Sequence, residues 1–405
     1  LAWGRHPQAR EFESSRILQD KALRQSMFES PMRRFSYHAA MDSDAAHPMP
    51  GGSAGRRVAV VGAGLAGAAC ARALADAGFE VQVFDKSRGA GGRMATRRAE
   101  WAGADGTAHP ARFDHGAPGF SARVPAFARF VAQAEHDGLV ARWSPRLAPG
   151  SYAPLDEAAL WVATPDMPAL ARALLAGVPL HTGITVDALL RAPAGPGGPA
   201  RWRLGSGGAA VGEGFDAVVV AIPPPQAAPL VQPHHADWAA RAQALSMLPG
   251  WALMAVTDEP DHATAWDLAW PATGPLGWVV RNDAKPGRTG VPGVAQWVAH
   301  ATAAWSRTHL EAPAAEVQSM LQAALAEAIG RQPVWHHGAV HRWRYASVPR
   351  THASDVARCA WDADAGLGLC GDAWGGPGVE GAWLSGQALA QALIGEPAAA
   401  GSTRP

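Results

Sequence analysis

Residues 57–85 hold the feature that most restricts what this chain can become. Val58-Ala59-Val60-Val61 is a short β-rich apolar run, the kind a strand buried on both faces requires. It runs directly into Gly62-Ala63-Gly64-Leu65-Ala66-Gly67. An Ala/Leu-rich stretch then reads as a helix to Ala77, closed by Gly78, a residue suited to the left-handed position after a helix. Val81-Gln82-Val83-Phe84 reads as a second strand ending in Asp85, 23 residues after Gly62. A lone G-x-G-x-x-G carries little information. Between a strand and a helix, with an acid closing the next strand, it specifies a βαβ dinucleotide-binding unit. Gly62 allows the tight turn, Gly64 lets the backbone approach a pyrophosphate at the positive helix end, and Gly67 lets helix and strand pack closely. Asp85 is placed to accept from ribose hydroxyls, and its charge disfavours a 2′-phosphate.

The stretch Lys86-Ser87-Arg88-Gly89-Ala90-Gly91-Gly92-Arg93-Met94 shifts the reading from NAD to FAD. Gly92 opens the backbone, and Arg93 adds donors for phosphates that one helix terminus leaves unpaired. Lys86 is counted with this set. Late in the chain, Leu367-Gly368-Leu369-Cys370 reads as a strand followed by Gly371-Asp372, and Val379-Glu380-Gly381-Ala382 opens a last helix ending near Ile394. In FAD oxidoreductases such a Gly-Asp contacts the ribityl or phosphate region, and the positive start of the helix behind it faces the flavin. Gly371, Asp372, Val379, Glu380 and Gly381 are therefore expected cofactor residues, with Val186 from a short apolar run. No His or Cys sits in a flavin-attachment pattern, so the FAD is expected to be non-covalent.

The remaining runs sort into two groups. Trp161-Val162-Ala163 leads into Thr164-Pro165-Asp166, a helix-start signal with a helix expected over 167–176. Short strands are expected at 184–186 and 202–204. The run 217–222, halted by Pro223-Pro224-Pro225, reads as a buried strand. Strands at 251–256 and 276–280 and an amphipathic helix at 317–329 belong to a second region. The expected architecture is α/β. A Rossmann-type FAD-binding domain is built from 57–100, 160–225 and 360–396. A mixed α+β substrate domain, from 101–159 and 226–359, interrupts it, and 397–405 form a tail. Residues 1–56 mix charges of both signs, with Met41 and Met49 as later starts, and are expected to be a poorly ordered extension.

The formal charge is zero, with 35 basic and 35 acidic residues, which argues against a nucleic-acid binder working through a global basic field. The nearest approach to a membrane span, 58–71, is broken by Gly62, Gly64 and Gly67 and falls short of the ~18 residues required. No apolar segment of a secretory signal follows Arg33-Arg34. Cys70, Cys359 and Cys370 form no C-x-x-C, which excludes a disulfide scaffold and a zinc ribbon. A cytoplasmic protein without a metal site is expected.

More specific stretches carry a resemblance to a known family. The start at 62–98 is similar to that of flavin amine oxidases and their relatives. Added to it are Phe113-Asp114-His115-Gly116-Ala117, the run Asn282-Asp283-Ala284-Lys285-Pro286-Gly287-Arg288, and Trp297-Val298-Ala299-His300-Ala301. His341-Arg342-Trp343-Arg344-Tyr345-Ala346 and Val379-Glu380-Gly381-Ala382-Trp383-Leu384-Ser385-Gly386 complete the set. In this order, over 57–396, they resemble the renalase-like flavoproteins. After the 113–117 stretch that family carries a polar and an aromatic residue, where this chain has Pro118-Gly119. The resemblance implies a substrate domain like that of p-hydroxybenzoate hydroxylase. It also implies oxidation of 2- and 6-dihydronicotinamide isomers of NAD(P) to NAD(P)⁺, with oxygen reduced to hydrogen peroxide. The partners would be that small substrate and oxygen, with neither nucleic acid nor membrane.

Hydride transfer from a dihydropyridine needs no proton abstraction, so no general base is required. With 17 Trp against 3 Tyr, aromatic walls for a flat ring would come from Trp. Trp343, Trp383, Trp374 and Phe120 are the wall candidates, and His115 and His341 are candidates for contact with flavin or substrate. His115, His341, Trp343 and Trp383 form the expected catalytic set. Lys285 has a counterpart in the flavin-proximal lysine of amine oxidases, but its loop predicts a solvated charge. Cys370 is expected to be inert packing. Two other readings stay open: an amine oxidase or desaturase of the same superfamily, and a flavin-bound protein without turnover.

Overall fold

Strand β1 (Arg57–Val61) lies inside a six-stranded sheet. Val58, Ala59 and Val60 are fully buried, as a run apolar on both faces demands. The computed structural model describes residues 55–103, 106–151, 159–192, 200–259, 266–349 and 358–395. The expected extension, apart from its last two residues, and the expected tail lie outside them. Helix α1 (Leu65–Asp76) follows β1, and β2 (Glu80–Asp85) pairs parallel with it, as the sequence predicts. Strands β3 (Arg97–Ala102) and β4 (Ala108–Phe113) form an antiparallel hairpin. Helix α2 (Pro125–His136) leads into a second hairpin, β5 (Val140–Trp143) with β6 (Leu160–Ala163). Short helix α3 (Ala169–Leu174) precedes β7 (Leu180–Thr182), which pairs beside β2.

An antiparallel meander follows: β8 (Ala188–Ala192), β9 (Arg201–Ser206) and β10 (Ala209–Phe215). Strand β11 (Ala217–Val220) then takes the other side of β1. After α4 (Pro224–Val231) and α5 (Ala236–Ala244) the chain builds a five-stranded antiparallel sheet. Its members are β12 (Leu248–Asp258), β13 (Leu268–Ala269), β14 (Leu276–Arg281) and β15 (Val294–Ala301). Helices α6 (Ala303–Thr308) and α7 (Ala314–Ala328) precede the fifth strand, β16 (Trp335–Ser347). The chain returns to the first sheet as β17 (Ala360–Asp362) and β18 (Leu367–Leu369), then forms α8 (Asp372–Gly375) and α9 (Gly378–Ile394). No described helix is long and apolar enough to cross a membrane.

The first sheet runs β17-β18-β11-β1-β2-β7, parallel except at β17. Its parallel strands therefore present Gly62, Asp85, Ala221 and Gly371 at one edge, the carboxyl edge where open α/β sheets bind ligands. The second sheet shows the period-2 division of a sheet covered on both sides. Trp251, Leu253, Trp297 and Ala299 pack on Val317, Leu321 and Leu325 of α7. Met254, Val256 and Val298 pack on Trp101, Ala111 and Phe113 of the first hairpin.

Three local expectations change. Residues 184–186 are not a strand; Gly183, at φ +73°, turns the chain after β7, and Val186 is buried by packing near Phe84 and Leu189. The helix expected at 167–176 begins only at Ala169, since Pro168 disfavours helical backbone in the residue before it. The boundary expected at 100 falls inside β3, because cross-strand pairing makes 97–113 one hairpin.

Helices α1 and α9 meet backbone to backbone. A Cβ on Gly386 would run into the Ala66 carbonyl, and Gln387 Nε2 donates to the Ala69 carbonyl at 3.1 Å. Gly386→Ala should force the helices apart and lower the unfolding free energy by about 1–3 kcal/mol, read as a shifted midpoint in urea titration.

Candidate active site

Two glycine loops are laced together at the carboxyl edge of the first sheet. Gly62 sits at φ +112°, and a Cβ there would lie 2.6 Å from the Ala221 carbonyl oxygen. Only glycine tolerates both demands. A Cβ on Gly67 would run into the Gly62 carbonyl. The Gly91 amide donates to the Ala63 carbonyl at 2.9 Å, and Gly92, at φ +53°, faces Gly64. On the ligand side, a Cβ at Gly64 would meet only Gly92 Cα, at 4.0 Å. No side chain caps the start of α1 and no acid lies in its first turn. Its amides and positive end are thus available to a pyrophosphate.

Asp85 holds this loop as well as closing β2. One carboxylate oxygen accepts from the Ala63 amide at 2.6 Å and the other from Ser87 at 2.7 Å. Arg93 makes a two-pronged ion pair with buried Asp372, 2.7 Å on each arm, a geometry that fixes the guanidinium plane. The second glycine loop is thereby clamped to the end of β18. Gly371, at φ +148°, donates its amide to Ser385 Oγ at 2.9 Å. Gly381 is pressed against the Gly376 carbonyl so closely that no Cβ fits. The carboxylate of Glu380 accepts from the Arg123 and Val124 amides, both at 2.7 Å, so it positions the start of α2. Lys86 is exposed, Val379 half-buried in the first turn of α9, and Val186 a core residue.

The second group lies on the second sheet, on the face turned toward the 113–117 loop. Cross-strand register lines up Trp278, His300, Ala252 and His341. Trp343 lies two residues beyond His341, on the same face. The His115 ring stacks on Trp343 at 5.3 Å and 28°, and meets His341 edge-on at 4.8 Å. The His115 carbonyl accepts from Trp343 Nε1 at 2.9 Å and from His300 Nε2 at 3.1 Å. His115 Nδ1 donates to the Phe113 carbonyl at 3.4 Å. Burial, reinforced by His341, pulls the His115 pKa down to about 4, and burial does the same to His300. His341 is also lowered, by burial and then by Arg97. At neutral pH this is an uncharged aromatic wall.

Behind the wall lies a buried charge cluster. Asp114 accepts from Thr96 Oγ1 at 2.6 Å, Lys285 Nζ at 3.1 Å and Arg288 Nη2 at 2.6 Å. Burial alone would raise its pKa, but the Lys285 and Arg288 charges and the Thr96 bond hold it at about 2. Lys285 is drawn down to about 8 by burial, against the pull of Asp114, with Arg288 crowding the same carboxylate.

The expected residues thus divide. His115, His341 and Trp343 converge. Trp383 does not join them: it packs between Phe127 and Phe130 at 5.5 and 5.0 Å, because its turn of α9 faces α2. Phe120 packs on Phe127 at 6.0 Å. Trp374 lies in the core of the first sheet with Arg241 over its ring. Neither is a wall residue. Lys285 is buried at 2% exposure, which overturns the solvated reading; a carboxylate from a distant strand end draws it inward. Cys370 is fully buried with its thiol pKa raised by burial, in keeping with inert packing. Asp114 and His300 join the site although neither is among the expected site residues. An acid set between Phe113 and His115 at a strand end was the available signal.

Two outcomes follow from this geometry. Asp85→Ala removes two charge-assisted hydrogen bonds from the loop and should weaken FAD binding roughly 10–100-fold, measured by flavin fluorescence on dilution. For His115 and His300 the folded values near 4 lie below the ordinary 6.5. The unfolded chain therefore binds more protons in between, and stability is full above 6.5 and lost as pH falls toward 4. The Tm should drop across that window by several degrees, and His115→Asn should flatten the profile in thermal melts.

Residues 60–134 match the NAD(P)-binding Rossmann-like domain, and residues 154–394 match the flavin containing amine oxidoreductase family. A 45-residue stretch is 56% identical to a zeta-carotene-forming phytoene desaturase of Myxococcus xanthus, spanning 11% of this chain and 9% of that protein. An oxidoreductase of Methanosarcina mazei superposes with a TM-score of 0.59 at 16% identity, over 82% of this chain and 99% of that one. A putrescine oxidase bound to putrescine superposes at 0.58 and 15% identity, over 84% of this chain and 99% of that one. These two structures share the fold. With the glycine cradle, the Arg93–Asp372 clamp and a family match over more than half its length, the chain belongs to the flavin-containing amine oxidoreductases and is an FAD-dependent oxidoreductase.

Proposed function

We propose that this enzyme is a renalase-like oxidase that returns 2- and 6-dihydronicotinamide isomers of NAD(P) to NAD(P)⁺. The observation that carries the reading is the charge state of the wall. His115, His300 and His341 are all held below their ordinary pKa. Asp114, adjacent in sequence, is consumed by Lys285 and Arg288. An amine substrate brings an ammonium, which on leaving water is met best by a carboxylate. This wall has no carboxylate and carries neutral imidazoles. A dihydronicotinamide ring is uncharged and flat, and suits it.

FAD, when bound, supplies a two-electron acceptor and the reaction with oxygen that yields hydrogen peroxide. The chain's own residues do the positioning. The His115–Trp343 stack gives the ring a surface, and the paired donors on the His115 carbonyl keep that surface from shifting. No residue has to remove a proton, since the ring loses a hydride and becomes aromatic. Positioning then decides which ring carbon faces the acceptor, and a displacement of about 1 Å costs about 100-fold.

Anaerobic stopped-flow bleaching of the flavin tests the reading. The 2- or 6-dihydro isomers should reduce it at least ~100-fold faster than ordinary 4-dihydro NADH, and peroxide should appear in air. A primary amine or a polyene that bleaches the flavin faster than every dihydronicotinamide would replace this reading with amine oxidation or desaturation. Failure of all of them would leave a flavin protein without turnover.

A further inference from the structure

Arg97 opens β3 opposite Phe113, so the two side chains share one face of the hairpin. That face is the one laid on the second sheet: Phe113 stacks on His337 at 5.8 Å and 11°, and Trp101 meets His336 at 5.2 Å. Arg97 therefore emerges at the end of the hairpin that runs into Asp114 and His115. It is exposed, and its side chain makes no ion pair or hydrogen bond with any described residue. Strand β3 packs directly on β16, the strand that carries His337 and His341, and the Arg97 charge depresses the pKa of those two rings and of His115. The Arg97 guanidinium thus borders the aromatic wall beside the neutral imidazoles of the 113–117 loop and β16, with no counter-charge among the described residues. An anion is the missing partner.

We propose that Arg97, with His337 and His341, forms an anion site at the mouth of the aromatic wall that takes the pyrophosphate of a dinucleotide substrate. The assignment rests on the dihydronicotinamide reading for the identity of the ligand. A guanidinium presents a planar fork that matches two phosphate oxygens, which an ammonium cannot do. Neutral imidazoles add one N–H each. With the phosphates held at the rim, the ring at the other end of the substrate reaches the His115–Trp343 stack. The same guanidinium opposes an ammonium ligand, so the site selects against amines as well as for phosphates.

The test is calorimetric titration of the holoenzyme with ADP-ribose, which carries the pyrophosphate and lacks the nicotinamide ring. Wild type should bind it, more weakly as salt rises. Arg97→Gln should raise its Kd roughly 10–100-fold, the worth of one charge-assisted contact. Arg97→Lys should recover part of the loss. A second arm compares bleaching by the dinucleotide with bleaching by a phosphate-free N-methyl dihydronicotinamide. The ratio of their half-saturating concentrations should shift by the same factor in Arg97→Gln. No ADP-ribose binding by wild type, or equal Kd in Arg97→Gln, overturns the site. So does an equal loss on both substrates, which would make Arg97 merely structural. If neither dihydronicotinamide bleaches wild type, the functional reading fails, and the ADP-ribose titration still decides the anion site.

Discussion

The carboxylate of Asp114 ties together parts of the chain that lie far apart in sequence. It is fully enclosed and shared by Lys285 and Arg288, with Thr96 on its other oxygen. Arg288 also donates to the Ala163 carbonyl at the end of β6. Asn282, from the same loop as Lys285, accepts from the Asp114 amide and donates to the Arg112 carbonyl. One buried anion therefore connects the first hairpin, the β5–β6 hairpin and the β14–β15 connection. A lone carboxylate so placed would be costly, and a lone lysine equally so. Together they are tolerable only in one geometry, and that geometry sets the 113–117 loop against the second sheet.

Everything at the aromatic wall depends on where that loop lies. The His115 carbonyl is gripped from β15 by His300 and from β16 by Trp343. Its ring is then stacked on Trp343 and crossed by His341. Burial keeps the imidazoles neutral, so the wall offers shape and aromatic surface while the charges remain behind it at Asp114 and beside it at Arg97. The cofactor cradle is built by a different means, close backbone approach. Gly62, Gly67, Gly381 and Gly386 each stand where a Cβ would strike a neighbouring carbonyl, and Arg93–Asp372 locks the two loops that such packing brings together.

The cradle was legible in the sequence because its information is local. A strand, a glycine turn, a helix and a strand ending in Asp85 follow one another within thirty residues or so, and each signal has its own stereochemical cause. The same holds for Gly371-Asp372 before the last helix. The wall was only partly legible. His115, His341 and Trp343 were marked by resemblance, and they do meet. Trp383, marked in the same way, went to the α2–α9 interface, because a short run of residues does not say which face of a helix is turned inward. Residues 184–186 have strand composition, yet Gly183 takes the chain out of the sheet before they can pair.

By itself the sequence determined a βαβ dinucleotide cradle, the glycines that admit it, and an α/β chain with a second region inserted into the first. Only the tertiary structure decided that Lys285 is buried, that His300 belongs to the site, and that Arg97 borders it. The Lys285–Asp114 contact spans 171 residues and the Trp343–His115 contact 228. Such pairs leave no periodicity and no composition shift along the chain. They exist because two sheets, each made stable by its own apolar faces, bring their strand ends to one place, and electrostatics then selects which side chains remain there.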